Sequence, residues 1–153
     1  MSQKYLIIDK ARDLNPRALS FLVELDLKYF PTPWSSVDWD QLFNSGTRYL
    51  ILSETDEIFS GFALFETAPA DSFTHLLKII VVPAQRGKML GKKLLNEAVK
   101  ELTSQGVKSF FLEVEDHNEA AIKLYESQGF KTIHHKKQFY SSGAGALIMT
   151  LDV

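Results

Sequence analysis

The sequence predicts a mixed α/β sandwich, one central sheet with helices packed on its faces. Three observations carry this. Some short segments alternate apolar and polar residues with a period of two, others repeat apolar residues at helical spacing, and His75 to Val82 is an apolar run broken only by Lys78. A run of that kind suits a central strand buried on both faces. At 153 residues the chain suits a single domain, residues 1–153, able to bury a core without staples.

Each element follows in order. Lys4 to Asp9 reads as a short strand, and Ala11 to Tyr29 as a helix, with Leu14, Ala18, Phe21, Leu22, Leu25 and Tyr29 on one stripe. Phe30-Pro31-Thr32-Pro33-Trp34-Ser35 breaks it, because two prolines remove donors and fix φ. Ser35 or Ser36 caps a second helix through about Asn44, with Gly46 beyond its end. Tyr49 to Ser53 and Phe59 to Thr67 form a hairpin turned at Glu54 to Glu57, and Pro69 to Ser72 is the next loop. Pro83 stops the central run. From Met89 to Gln105, Leu90, Leu94, Leu95, Ala98, Val99 and Leu102 make a second helical stripe, ended by Gly106. Ser109 to Glu115 alternates, Phe110, Leu112 and Val114 on one face and Phe111, Glu113 and Glu115 on the other. Asn118 caps a helix to about Gln128, closed by Gly129. Phe130 to Phe139 and Ala146 to Leu151 end the chain as a hairpin about Ser141 to Gly145. The order is β-α-α-β-β-β-α-β-α-β-β.

Composition narrows the function. The 45% hydrophobic and 24% charged residues suit a globular chain. A net charge of −2 offers nucleic acid no general attraction, so any anion site must be local. The absence of cysteine excludes disulfides, thiol nucleophiles and thiolate zinc sites, and fits a reducing compartment. The apolar run Tyr5 to Ile8 is too short for a signal segment, and nothing approaches about 18 unbroken apolar residues. A cytoplasmic protein without a membrane partner is expected. His134-His135-Lys136-Lys137 reads as an exposed basic strand, and no metal site is expected.

Two stretches carry chemistry. Arg86 to Lys92 joins a strand to a helix, where free backbone N–H groups and the helix dipole attract phosphate. It is not a Walker loop: Gly87 and Gly91 have three residues between them where that loop has four, and Lys92 is followed by Lys93. The dinucleotide pattern of three glycines is also absent. A plain strand-to-helix connection with surface lysines remains the alternative. In the second stretch, Glu113 alone reads as a solvated carboxylate, Tyr125 as a core tyrosine and Asn118 as a helix cap. Together they place a carboxylate, an amide and a phenol on a strand and its following helix, the groups that proton transfer requires.

Leu112-Glu113-Val114, Asn118 and the run from Ala121-Ile122 through Leu124-Tyr125-Glu126-Ser127 to Gly129-Phe130, following the Arg86 turn, resemble the GNAT superfamily of acetyl-CoA-dependent N-acetyltransferases. The resemblance is to its ribosomal-protein N-terminal alanine acetyltransferase branch, and the element order agrees over the whole chain. It implies a single-domain GNAT fold, a mixed central sheet flanked by helices. It implies that Arg86, Gly87, Lys88, Met89, Leu90, Gly91 and Lys92 hold the pyrophosphate of CoA, and that the backbone of Ile79, Ile80 and Val81 binds the pantetheine arm as a false strand. Asn118 would contact the cofactor, Glu113 and Tyr125 would act as general base and general acid, and Phe30 and Trp34 would border the acceptor groove. Two departures stand out. Met89 replaces the first motif glycine, where a Cβ reduces clearance although an L-residue with helical φ still donates its N–H. The last hairpin lacks the acidic residues that precede the final strand in that branch.

The implied reaction moves an acetyl group from acetyl-CoA, as cosubstrate, to an amine, with a protein N-terminus as the expected acceptor. An α-amine of pKa about 8 is mostly protonated at neutral pH and needs a base; a thiolate of pKa about 8.5 leaves more readily when a phenol hands it a proton. A small-molecule amine acceptor and a non-catalytic acyl-CoA sensor are the alternatives, and both monomer and homodimer are compatible with the sequence.

Overall fold

The computed structural model describes residues 3–68 and 72–153. Its centre is a seven-stranded sheet in the order β1-β2-β3-β4-β5-β7-β6, built from β1 (Gln3–Ile8), β2 (Arg48–Thr55), β3 (Ile58–Ala68), β4 (Phe73–Val81), β5 (Ser109–Glu115), β6 (Lys131–Lys136) and β7 (Ala146–Asp152). The described residues add the α-helices α1 (Pro16–Tyr29), α2 (Ser36–Asp40), α3 (Leu90–Ser104) and α4 (Glu119–Ser127). The pairings are antiparallel except β4 with β5, and α3 supplies the crossover that a parallel pair needs. The sheet buries both faces. Leu94, Leu95, Ala98 and Leu102 of α3 pack with Tyr125 of α4 on one side, and Ala18, Leu22 and Leu25 of α1 pack with Trp39 of α2 on the other. The expected fold class and element order are those observed.

Local differences have local causes. Ala11 to Tyr29 is not one helix: Asn15 accepts the Ala18 N–H at 2.8 Å and Pro16 occupies the first turn, so α1 starts there after a separate 3-10 turn at Ala11–Asp13. Leu14 packs on the same apolar layer as α1, which is why the stripe ran through the break. The helix expected from Ser35 to Asn44 ends at Asp40, after a capping box between Ser35 and Asp38, and single turns lead on to Gly46. The strand expected to Phe139 stops at Lys136. Of the loop expected at Pro69 to Ser72, residues 69–71 lie outside the described residues.

The larger correction concerns β4. It runs from Phe73 to Val81, and its burial alternates: Thr74, Leu76, Lys78 and Ile80 are buried while their neighbours are half-buried or exposed. The cause is its pairing. Only Phe73, Thr74 and His75 pair with β5, opposite Ser109, Phe110 and Phe111, so the remainder of β4 has no strand neighbour on that side. A register shift against β3, where Phe65 faces Leu76 and Leu64 faces Lys78, leaves Leu77 as an extra residue. The bulge reverses the side-chain alternation, sending Leu76 into the α3/α4 core and Ile80 into the α1/α2 core.

Candidate active site

Where β4 and β5 part, the sheet opens into a cavity of about 270 Å³. Leu76 to Val81 form one wall and Leu112 to Glu115 the other, while Asn118, Ala121, Leu124 and Tyr125 of α4 and its entry line the space between them. Tyr29 to Thr32, Arg86, Gly91 and Tyr140 complete the lining. The structure therefore brings together Ile79, Ile80, Val81, Arg86, Gly91, Glu113, Asn118, Tyr125 and Phe30. Gly87, Lys88, Met89, Leu90 and Lys92 lie at the start of α3 outside this lining, and Trp34 is also outside it.

At the α3 end the backbone makes the site. The helix begins with no side-chain cap and no acidic residue in its first turn, so nothing from its own sequence offsets the positive end of the dipole. Gly87 and Met89 are both left-handed, with φ of 81° and 60°. Met89 therefore lacks the right-handed helical φ expected of it, and its conformation costs an L-residue about 1 kcal/mol. A glycine at this position relieves the backbone as well as adding clearance; the Met89 side chain itself is exposed. Arg86 donates from Nε to the Val81 carbonyl at 3.0 Å and lays its guanidinium over the Tyr29 ring, 4.9 Å from the centroid. An unpaired strand edge leading to an uncapped helix start beside Lys88 and Lys92 fits an extended ligand ending in phosphates.

The proton-transfer candidates sit deeper. Tyr125 is buried on α4 against Phe130, with ring centroids 5.9 Å apart. Burial, and secondarily the neighbouring Tyr140, push its phenol pKa upward, so it holds its proton throughout the neutral range. Asn118 accepts the Ala121 N–H at 3.2 Å as the cap of α4 and also lines the cavity. Glu113 belongs to the face of β5 opposite the buried Leu112 and Val114 and is partly exposed. Its Oε2 lies 2.5 Å from Nε2 of His75, whose ring stacks on Phe111 at 4.3 Å and 12°. Tyr140, in the β6–β7 connection, has its phenol pushed up to about 12 by burial and then by Glu113 and Glu115.

The loop that borders the cavity is pinned from beneath. Asp26, buried near the end of α1, accepts from Lys78 Nζ at 2.8 Å, from the Trp34 backbone N–H at 2.8 Å and from Trp39 Nε1 at 3.0 Å. Burial lowers the Lys78 pKa, and the bond and charge of Asp26 oppose that shift. The ammonium also sits under the Phe30 ring, 3.8 Å from its centroid. Trp34 thus packs on Trp39, with centroids 5.0 Å apart, and supports the loop.

Asp26, His75, Lys78 and Tyr140 stand at or beside the site without being among the residues expected there. A signal existed for two of them. Asp26 falls four residues after Leu22 on the apolar stripe of α1, and Lys78 is the single charge inside an apolar run; each marks a buried charge that needs a partner. Nothing local marked His75 or Tyr140.

Residues 19–130 match the model of the acetyltransferase (GNAT) family. The chain is 37% identical over 125 residues, 79% of its length and 82% of the relative's, to the ribosomal protein bS18-alanine N-acetyltransferase of Salmonella typhimurium. It is 35% identical over 136 residues, 85% of this chain and 90% of the relative, to the protein of the same name in Haemophilus ducreyi. The crystal structure of the ribosomal-protein-S18-alanine N-acetyltransferase from Escherichia coli shares its fold with a TM-score of 0.79 at 26% identity, covering 98% of this chain and 94% of that one. The family model covers most of the chain, and the relatives are similar to it over most of its length: the chain is an N-acetyltransferase of the GNAT family.

Proposed function

We propose that this chain acetylates the α-amine of a protein N-terminus with acetyl-CoA, using Glu113 as general base and Tyr125 as general acid. The observation that carries this is that both groups line one cavity together with the unpaired half of β4. Relatives named as ribosomal protein bS18-alanine N-acetyltransferases support a protein as acceptor. An acceptor of that class would place the reaction in the cytoplasm.

When bound, acetyl-CoA supplies an electrophilic thioester carbonyl and a thiolate leaving group. Arg86, Lys88 and Lys92, with the N–H groups from Gly87 to Lys92, hold its phosphates; the Ile79 to Val81 backbone aligns the arm and offers an N–H to the developing oxyanion. Phe30 borders the incoming amine, and Trp34 contributes by holding the Phe30 loop. Glu113 accepts the ammonium proton, directly or through one water. Tyr125, kept protonated by burial, donates its phenolic proton to the departing sulfur.

Thiol release from acetyl-CoA, measured against a panel of amines, tests the reading. Turnover with peptides bearing a free N-terminal alanine, and none with the same peptides N-terminally blocked, is expected. Turnover confined to polyamines or amino sugars would replace the acceptor class, and tight CoA binding without release by any amine would leave a sensor.

A further inference from the structure

His75 has no part in the scheme above, yet its ring nitrogen lies within hydrogen-bond distance of the Glu113 carboxylate. An ionised carboxylate only accepts hydrogen bonds, so in this contact Nε2 of His75 carries the hydrogen and donates it to Oε2 at 2.5 Å. The ring has little freedom to leave, because it stacks face to face on Phe111, one strand away. Glu66, the cross-strand neighbour of His75 on β3, is occupied by Arg48 and Thr47. Glu113 lines the cavity whereas His75 does not, so the imidazole grips the carboxylate from outside the space where chemistry takes place.

We infer that His75 is a positioning residue for this acetyltransferase: it fixes one oxygen of Glu113 so that the other is presented to the amine. The inference rests on Glu113 being the base. A carboxylate on a flexible side chain must come within about 3 Å of the proton it takes, and misplacement by about 1 Å costs on the order of 10²-fold in rate. The Phe111–His75–Glu113 arrangement supplies that constraint from β4 and β5, just where their pairing ends and the cavity starts.

The test compares His75→Leu, His75→Asn and His75→Gln in steady-state turnover of acetyl-CoA with a peptide bearing a free N-terminal alanine, each variant first checked by thermal unfolding. A glutamine amide nitrogen reaches as far along the side chain as Nε2, and an asparagine amide only as far as Nδ1. His75→Leu and His75→Asn should each lower kcat about 10-fold or more with KM for acetyl-CoA unchanged, and His75→Gln should recover kcat to within about 3-fold of wild type. Equal losses in all three, or wild-type kcat in His75→Leu, would overturn the inference. Glu113→Gln, run alongside, separates the two claims. A large loss there with full activity in His75→Leu removes only the positioning role. Wild-type activity in Glu113→Gln removes the base assignment and, with it, this inference.

Discussion

The two ends of the cavity are built by different means. The phosphate end, from Val81 to Lys92, is continuous in sequence and made mainly of backbone: an unpaired strand edge, two left-handed residues and an uncapped helix. The acceptor end is assembled from side chains far apart in the chain, Asp26 with Lys78 and His75 with Glu113. A backbone site tolerates a change of side chain such as Met89 because its donors belong to the main chain. A side-chain site fails when one partner is lost: without Lys78 the buried charge of Asp26 has no counterpart, and without His75 the carboxylate of Glu113 loses its hydrogen bond. Variants at the acceptor end should therefore cost more than variants at the phosphate end.

The largest effect expected within this comparison lies where the ends meet. Tyr125→Phe keeps the ring against Phe130 and removes the acidic proton, so kcat should fall about 10²-fold or more with the fold intact. Wild-type turnover would take Tyr125 out of the mechanism. The same variant carries a pH signature. The folded phenol titrates above the unfolded value near 10.0, so both states are protonated below that pH and the unfolded state ionises first above it. Wild-type stability should fall as pH rises past about 10 relative to Tyr125→Phe, and parallel stability curves would contradict the burial of the hydroxyl.

Next comes the pin beneath the acceptor loop. Lys78→Met strands the Asp26 carboxylate and should destabilise the protein by about 3 kcal/mol in urea unfolding. Adding Asp26→Asn removes the stranded charge and should recover part of the loss. A single variant as stable as wild type would show that the ion pair does not hold the loop. At the phosphate end, Arg86→Glu should weaken acetyl-CoA by about 10-fold or more in calorimetry, because it reverses a charge and removes the bonds to Val81 and Tyr29. Unchanged affinity would move the anion site elsewhere. The smallest effect belongs to Met89→Gly, which should gain about 1 kcal/mol of stability by relieving the left-handed conformation, with acetyl-CoA affinity preserved or improved. A large loss of affinity would mean that the exposed thioether contacts the ligand.

The same contrast explains what the sequence made legible. Strands and helices followed from local periodicity, and Ser35, Asn118 and Gly129 marked caps and ends where helices do begin and stop. The contiguous Arg86 to Lys92 turn and the Glu113, Asn118, Tyr125 series could be read because each lies within a short window. Asn15 and Pro16 were equally local and were overridden by an apolar stripe that Leu14 continues across the break. The bulge at Leu77, the parting of β4 from β5, and the partners of Lys78 and Glu113 depend on pairing between distant segments, and periodicity carries no record of register. The left-handed φ of Met89 was hidden by its residue type, since methionine rarely adopts it.

The central claim is that Glu113 takes the amine proton inside the cavity, and a pH–rate comparison in single-turnover acetylation of an N-terminal alanine peptide tests it most directly. Wild type, Glu113→Gln and Glu115→Gln are compared from about pH 7 to pH 9, across the range in which a free α-amine loses its own proton. Glu113→Gln should be slower than wild type by about 10²-fold or more at pH 7, with the gap narrowing as the amine deprotonates in solution, while Glu115→Gln stays near wild type throughout. A pH-dependent gap that appears in Glu115→Gln and is absent from Glu113→Gln would contradict the account.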